Sequence, residues 1–153
     1  MNLQPNSSTC FACGIENPCG LRLSFYDNGH DQVFTHFTLD QKHAGYPGMA
    51  HGGIVAAILD EVGGRTSMIG QPLRFFVTAH MDLRYRHPVP TGIPLTAIGW
   101  LLKKHGRRTK AHAEIFTDTL GILAEADILY TDLPPSLLDP DVAGSIFGWR
   151  LYA

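Results

Sequence analysis

The sequence lacks a long apolar run, an excess of basic charge and an even set of cysteines, and each absence excludes a class of protein. Its most apolar segment, residues 54–59, is far shorter than the ~20 residues that a membrane-spanning helix needs. The first ten residues, MNLQPNSSTC, lack the basic and apolar regions of a secretory signal peptide. We therefore expect a cytoplasmic protein that does not engage a membrane.

The net charge and the cysteine count argue against two further classes of protein. A formal net charge of −2 gives no reason to expect nucleic acid, whose phosphates require a basic face. Three cysteines, an odd number, fit a reducing compartment better than a disulfide framework. What the chain does have is an ordinary apolar content of 44% over 153 residues, which argues against disorder and for one domain with its own core.

The first half of the chain predicts a β-hairpin followed by a helix. Strand-forming residues mark two segments, LRLSFY (21–26) and QVFTHFTL (32–39), with turn residues at 27–29 between them. Residues 41–48 read as a loop. A helix is predicted from Gly52 to about Ser67, and apolar residues lie nearly all round its first turns. That pattern indicates a central helix rather than a surface one.

The second half predicts an antiparallel sheet. Apolar and polar residues alternate over 75–89, so that Val77 lies on the apolar side of a long strand and Thr78 on the polar side. Three more strands, joined by short turns, form an antiparallel meander: 95–103, 108–118 and 121–132. One helix buried against such a sheet is an α+β fold.

Three parts are expected along the chain. Residues 1–20 form an irregular leader that contains all three cysteines, residues 21–132 form the main domain, and residues 133–153 form a C-terminal tail. The tail carries three large apolar side chains that suggest docking, namely Trp149, Leu151 and Tyr152.

A glycine-rich motif stands where the helix is predicted to begin. The loop reads G-Y-P-G-M-A-H-G-G (45–53), and Asp60 follows Gly52 by eight positions. Three other segments belong with it: VTAHMDLRYRHPVPTG (77–92), GILAEADILY (121–130) and the leader motif CFACGIENPCGL (10–21). Through these motifs, over roughly residues 10–132, the chain resembles the hotdog-fold thioesterases, in the branch that includes the phenylacetate-pathway and 4-hydroxybenzoyl-CoA thioesterases.

The resemblance implies a fold, an activity and an assembly. The fold is the hotdog, in which a curved antiparallel β-sheet wraps one long central helix. The activity is hydrolysis of acyl-CoA without a cofactor, since water is the second substrate. The assembly is a homodimer with active sites between the subunits, or a homotetramer built as a dimer of dimers. Two rivals stay open: an acyl-thioester hydratase or dehydratase on the same fold, and a non-enzymatic acyl-CoA-binding module.

Gly52 and Gly53 stand at the predicted helix start, where backbone N–H groups have no partner within the helix and the helix dipole is positive. Without a Cβ, a ligand approaches the backbone closely. The resemblance assigns Gly52 as the oxyanion donor, and we expect Gly53 beside the substrate. The alternative is that both glycines only permit a tight turn into the helix.

Asp60 and Glu61 are adjacent carboxylates, and the resemblance assigns the catalytic role to Asp60. Asp60 either activates water or attacks the thioester itself, and the sequence does not decide between these roles. Successive helical residues point about 100° apart, so only one of the two faces a given site. We expect Glu61 to be solvated or paired with Arg65. The alternative for Asp60 is an ordinary surface carboxylate.

The spacing of the motif has a geometric consequence. Eight helical residues span about 12 Å, whereas an oxyanion donor and a nucleophile both lie near 3 Å from one carbonyl group. Gly52 and Asp60 of one straight helix do not meet this requirement. If both act on one thioester, each site therefore pairs Gly52 of one chain with Asp60 of the other.

Other polar residues near the motif have weaker assignments. By resemblance, Thr78 helps to hold the carboxylate or the water, with a strand residue of no special role as the alternative. His51 is placed with the catalytic residues, where it either orients the loop or contacts substrate, with a purely structural histidine as the alternative. Some relatives carry Asn six residues before His51, where this chain has Gly45; His43 or Gln41 then substitutes, or nothing does.

A cationic cluster surrounds the turn that joins two of the late strands. Its members are Lys103, Lys104, Arg107, Arg108 and Lys110. In a chain of net charge −2, such a cluster fits the phosphates of coenzyme A. The alternative is the solvated end of a hairpin.

The leader cysteines raise the question of a metal. Cys10 and Cys13 form a C-x-x-C pair, with Cys19 and His30 further along. Structural zinc sites usually show two such pairs, and only one is present. We therefore expect reduced packing cysteines and no bound metal, with zinc held by Cys10, Cys13 and Cys19 as the alternative.

Overall fold

The computed structural model describes residues 1–72 and 74–134, and over this range one helix packs against one large sheet. The helix, α1, spans Gly52–Gly64. The seven antiparallel strands lie in the order β1-β2-β3-β7-β8-β9-β6. Their bounds are Asn2–Leu3 (β1), Tyr26–Asp27 (β2), Gln32–Thr38 (β3), Phe76–Tyr85 (β6), Pro94–His105 (β7), Arg108–Thr117 (β8) and Gly121–Asp132 (β9). The predicted α+β class is confirmed.

Smaller elements flank the helix. A 3₁₀ turn at Gln41–His43 leads into a short hairpin, β4 (Ala44–Tyr46) and β5 (Met49–Ala50), where the sequence predicted only a loop. A second 3₁₀ turn, Arg65–Met68, prolongs α1 to about the predicted end. No helix among the described residues combines the length and the apolar character that crossing a membrane requires.

The core lies between α1 and the meander of β7, β8 and β9. The helix buries Val55, Ile58, Leu59 and Val62 against small and branched residues of the sheet. Glycine allows this close approach, because a Cβ at Gly99 would lie 2.5 Å from the Val62 carbonyl oxygen. Close packing of this kind fixes α1 relative to the strands that carry the candidate site.

The opposite side of α1 is only partly covered in a single chain. Ile54, Ala56 and Ala57 keep partial exposure, so the predicted burial all round the helix is not met by this chain alone. The same side carries Asp60, which is also partly exposed. An apolar surface beside a carboxylate is therefore left open on the first turns of the helix.

The predicted strand at 21–26 is wrong except at its last residue. Arg22 has a φ of +54°, which breaks the extended backbone. Leu21 and Leu23 donate their backbone N–H groups to carbonyl oxygens of the leader rather than to a neighbouring strand. Strand β2 is consequently limited to Tyr26–Asp27, and pairing with the leader replaces the longer hairpin.

The predicted alternation along β6 is wrong in the first residues of the strand. Its pairing with β9 shifts register between Thr78 and His80, which marks a β-bulge. Phe76 and Met81 both pack against the core, although an uninterrupted strand would place them on opposite sides. Val77, predicted on the apolar side, is 45% exposed. The bulge thus turns Thr78 towards the helix.

The predicted docking of the tail through Trp149, Leu151 and Tyr152 lies outside the described residues.

Candidate active site

The start of α1 leaves one backbone donor open. His51 is the N-cap residue, and its Nδ1 accepts a hydrogen bond of 2.9 Å from the Gly53 N–H. The Ile54 N–H bonds to the His51 carbonyl oxygen at 2.9 Å. Within residues 1–72 and 74–134, no hydrogen bond from the Gly52 N–H is seen. Of the two glycines singled out by the sequence, only Gly52 therefore presents a free N–H group, at the positive end of the helix.

Tyr85 lies beside this donor and was not singled out from the sequence. Its hydroxyl donates a hydrogen bond of 2.7 Å to the Gly52 carbonyl oxygen, and a Cβ at Gly52 would lie 3.3 Å from that hydroxyl. Burial raises the pKa of Tyr85 above its ordinary value, so the phenol stays protonated. A surface cavity of about 280 Å³ is lined by Gly52, Val55, Tyr85 and the residues that follow β6.

Asp60 is held by neutral hydroxyl groups. Thr78 Oγ1 donates a hydrogen bond of 2.7 Å to Asp60 Oδ1, and the Tyr130 hydroxyl donates one of 2.7 Å to the Asp60 carbonyl oxygen. Burial raises the pKa of the Asp60 carboxyl, while the bond from Thr78 opposes that rise. Among the described residues, no cationic side chain forms an ion pair with Asp60. The carboxylate is thus oriented without being neutralised.

Glu61 has a cationic partner instead. Arg65 Nε lies 2.9 Å from Glu61 Oε1, which confirms the predicted pair, and the Arg65 side chain is 0% exposed. Arg65 also donates to the Pro5 carbonyl oxygen at 2.8 Å and stacks 4.3 Å above the ring of Phe25. These contacts fix Glu61 as part of the packing between α1 and the leader.

The remaining predicted residues near the motif have structural partners. His43 Nδ1 accepts a hydrogen bond from the Asp40 N–H at 3.3 Å, and Gln41 Nε2 donates to the Thr91 hydroxyl at 2.7 Å. A Cβ at Gly45 would lie 3.3 Å from the His51 Cα. Neither His43 nor Gln41 contacts Asp60 or Gly52, so no described hydrogen bond replaces the missing Asn.

The cationic cluster is split between the two faces of the sheet. Lys104 Nζ donates to Gln71 Oε1 at 3.1 Å, and Arg107 donates to the Asp132 carbonyl oxygen at 3.2 Å. Three other members of the cluster, Lys103, Arg108 and Lys110, line a cavity of about 510 Å³ on the sheet face away from α1, together with His105. The structure does not bring these outer cations together with Asp60 within one chain.

The leader cysteines separate into two groups. The sulfurs of Cys10 and Cys13 lie together against α1, whereas Cys19 is exposed and lies outside this cluster.

Comparison with known proteins agrees with this fold. The family model of the thioesterase superfamily matches residues 47–124, just over half of the chain. The chain belongs to the thioesterase superfamily. The match includes both Gly52 and Asp60, together with the strands β6, β7 and β8 that surround them. No curated protein matches the chain.

Solved structures of thioesterases share the hotdog fold of this superfamily member. A thioesterase superfamily protein is 29% identical with a TM-score of 0.70, and the alignment covers 80% of this chain but only 60% of that one. A thioesterase superfamily protein from Shewanella loihica is 26% identical with a TM-score of 0.60, over 73% of this chain and 91% of that one. A Streptococcus mutans protein bound to acetyl CoA is 18% identical with a TM-score of 0.65, over 72% and 88%.

Proposed function

We propose that the protein hydrolyses acyl-CoA thioesters, with Asp60 acting at the thioester carbonyl and the Gly52 N–H stabilising the oxyanion. The observation that carries the proposal is the 2.7 Å hydrogen bond from Thr78 Oγ1 to Asp60 Oδ1. It orients a partly buried carboxylate with a neutral donor and leaves its other oxygen for chemistry. A carboxylate held only for structure would more often be paired with a cation, as Glu61 is.

The reaction at Asp60 takes one of two forms. As a nucleophile, Asp60 bonds to the acyl carbon, the carbon–sulfur bond breaks, and coenzyme A leaves as the thiolate. The acyl group stays on Asp60 as a mixed anhydride, which water then hydrolyses. As a general base, Asp60 takes a proton from the water that attacks the same carbon. Both forms need the ionised carboxylate, and in both the carbonyl oxygen gains negative charge.

The Gly52 N–H supplies the donor for that charge. It carries no other hydrogen bond in the described part of the chain, and it lies at the N-terminus of α1. A single donor of this kind contributes on the order of 10²–10³-fold in rate. Tyr85 positions the donor, because its hydroxyl holds the carbonyl group of the same residue.

Two subunits are required for this chemistry. Gly52 and Asp60 belong to one uninterrupted helix, and eight residues separate them by about 12 Å. Each site accordingly combines Gly52 of one chain with Asp60 of its partner in a homodimer. The partly exposed Ile54, Ala56 and Ala57 beside Asp60 offer the apolar surface on which such a partner would pack.

The proposed substrate is a coenzyme A thioester. Membership of the thioesterase superfamily supports a thioester, and the Streptococcus mutans neighbour is bound to acetyl CoA. Lys103, Lys104, Arg107 and Arg108 are the side chains that we assign to the phosphates of the nucleotide, with the outer cavity at Lys103 and Arg108 as the main contact. We assign His51 and His43 to holding the loop that precedes α1, and Gly53 to the first turn of the helix, beside the bound substrate.

A thiol-release assay over short, long and aryl acyl-CoA thioesters tests the proposal. The wild type is expected to turn over at least one of them, and Asp60→Asn is expected to lose that activity. Asp82→Asn is the matched control, because Asp82 is an exposed carboxylate of β6. No turnover of any thioester together with measurable binding would identify a binding module, and a hydrated or dehydrated acyl-CoA product would identify the rival enzyme class.

A further inference from the structure

The leader crosses α1 and places two cysteine sulfurs next to Glu61. Cys13 is 0% exposed and belongs to the hydrophobic core, while Cys10 packs against that core at the surface. The sulfurs of Cys10 and Cys13 and a carboxylate oxygen of Glu61 all lie within 4.8 Å of one another. This cluster, the Cys10–Cys13–Glu61 site, lies on the Arg65 side of the helix and is not used by the proposed hydrolysis.

The spacing of the three atoms is close to that of a metal-ligand set. With zinc–sulfur bonds of about 2.3 Å, two thiolates of a tetrahedral site lie about 3.8 Å apart. Small side-chain rotations of Cys10 and Glu61, both only partly buried, would close the remaining gap. The C-x-x-C spacing is also the spacing at which one turn of backbone delivers two sulfurs to one ion.

The backbone of the leader is shaped to hold thiolates. The Cys13 N–H points at Cys10 Sγ at 3.5 Å, and the Gly14 N–H bonds to the Cys10 carbonyl oxygen at 2.8 Å. A Cβ at Gly14 would collide with that carbonyl group, so the turn requires glycine at this position.

The surrounding charges fit a bound dication. Two thiolates and one carboxylate around a divalent ion leave one negative charge, and the buried guanidinium of Arg65 lies 2.9 Å from Glu61 Oε1. Arg65 thus holds the Glu61 carboxylate beside the two sulfurs. Metal-ligating carboxylates are typically hydrogen-bonded in this way, which orients them and balances the charge.

We propose that Cys10, Cys13 and Glu61 bind a divalent transition-metal ion, zinc by preference, with water in the fourth position. Thiolate ligands select zinc over magnesium or calcium, and three protein ligands plus one open position is a known zinc arrangement. Among the described residues no other Cys, His, Asp or Glu joins this cluster, so Cys19 is not a ligand. The ion ties the leader to α1 and stands apart from the thioester chemistry.

Cobalt titration of the full chain, purified without a histidine tag and kept under a phosphine reductant, tests the proposal. We expect one equivalent of Co²⁺ to produce a thiolate-to-cobalt charge-transfer band and the intense visible bands of four-coordinate cobalt, and Zn²⁺ to displace it. Cys10→Ser and Glu61→Gln are each expected to weaken binding at least about tenfold. Cys19→Ser is the matched control and is expected to bind as the wild type does.

A second measurement on the wild type does not depend on the folding of variants. Bound Zn²⁺ is expected to slow alkylation of Cys10 by iodoacetamide and to leave alkylation of the exposed Cys19 unchanged, as read by peptide mass spectrometry. Absence of the charge-transfer band, equal loss of binding in Cys19→Ser and Cys10→Ser, or unchanged alkylation of Cys10 would each overturn the proposal. Thioesterase activity enters none of these readouts, so the site stands or falls separately from the proposed function.

Discussion

Helix α1 carries two adjacent carboxylates whose surroundings differ in kind. On one side the Asp60 carboxylate accepts a hydrogen bond from the neutral Thr78 hydroxyl, beside a surface that a single chain leaves partly open. On the other side Glu61 meets the buried guanidinium of Arg65 and two cysteine sulfurs. The two residues have the same chemistry and differ by one step along the helix. Their neighbours, rather than their identity, distinguish the carboxylate that we propose to react from the one held in a buried ion pair.

The comparison also shows what each kind of neighbour does to a carboxylate. The Thr78 hydroxyl orients Asp60, while burial raises the pKa of the Asp60 carboxyl. A raised pKa suits a carboxyl group that exchanges protons or forms a bond with the substrate. A buried cation fixes Glu61 in place and makes its removal costly. Substitutions on the two sides of α1 are therefore expected to have different effects. Those on the Asp60 side should lower the reaction rate, and those on the Glu61 side should lower stability.

The largest expected effect is on the rate at Asp60. Asp60→Asn keeps the shape and the bond from Thr78 but removes the base or nucleophile, so kcat/KM is expected to fall about 10³-fold. Glu61→Gln is expected to lower kcat/KM of the folded protein by less than about tenfold. Thiol release measured on both purified variants makes the test, and the reverse ranking would contradict the assignment.

The next largest effect is on stability at Arg65. Arg65→Leu leaves Glu61 partly buried without its cation, and we expect the free energy of unfolding to fall by about 3 kcal/mol. Urea unfolding followed by circular dichroism measures the change. Arg86→Leu, which breaks the exposed pair with Glu125, is the control and should have little effect. Equal losses in the two variants would show that burial of the Arg65 pair does not matter.

Removal of the Thr78 hydroxyl tests how this group affects the pKa of Asp60. The bond from Thr78 stabilises the ionised carboxylate and so lowers its pKa. Thr78→Val is therefore expected to move the acid limb of the kcat/KM profile to higher pH and to lower kcat/KM about tenfold at neutral pH. A pH–rate profile of the two proteins decides, and an acid limb that stays in place or moves to lower pH would count against the role of Thr78.

Asp60 is also expected to reduce stability at neutral pH. Its folded-state pKa is raised above the ordinary value of 3.8, so the stabilisation it gives is complete below that value and is lost as the pH rises through the folded pKa. Asp60→Asn should then be more stable than the wild type at neutral pH, with no advantage in acid. Thermal unfolding across pH measures this, and a variant that is less stable at neutral pH would refute it.

The smallest effect is expected at the outer cations. Lys103→Ala combined with Arg108→Ala should raise KM for an acyl-CoA about threefold, as partly exposed charges contribute little each. The matching acyl-pantetheine, which lacks the nucleotide phosphates, should show no change. If both substrates respond equally, the phosphate assignment fails.

Periodicity and spacing in the sequence predict much of this molecule. The start of α1 at Gly52 and the meander β7–β9 follow from local patterns of apolar residues and turn residues, and the Glu61–Arg65 pair follows from helical spacing. The bulge after Thr78 does not follow from local patterns, because one extra residue in a strand does not change the residue types that predict the strand. It reverses the side on which Thr78 lies, and so provides the contact with Asp60.

Long-range contacts account for the other differences. The strand predicted at 21–26 is wrong because backbone N–H groups of this segment bond to carbonyl oxygens of the irregular leader rather than to a neighbouring strand. Tyr85 and Tyr130 read as ordinary strand residues, yet their hydroxyl groups bond to the carbonyl oxygens of Gly52 and Asp60. Contacts between residues far apart in sequence are set by the packed fold, and single-sequence patterns carry little information about them.

The most direct test of the composite site mixes two inactive chains. Gly52→Pro removes the N–H at the first helical position, where proline is tolerated and where His51 already has the extended backbone that precedes proline. Gly52→Ala adds the same Cβ but keeps the N–H, and is expected to retain more activity. Asp60→Asn removes the carboxylate.

When Gly52→Pro and Asp60→Asn chains are unfolded together, refolded and shown by native mass spectrometry to form heterodimers, each heterodimer contains one site with both intact groups. Statistical mixing is then expected to restore about a quarter of the wild-type activity. Heterodimers that form and remain as inactive as either parent would contradict the claim that Gly52 of one subunit and Asp60 of the other act on the same thioester.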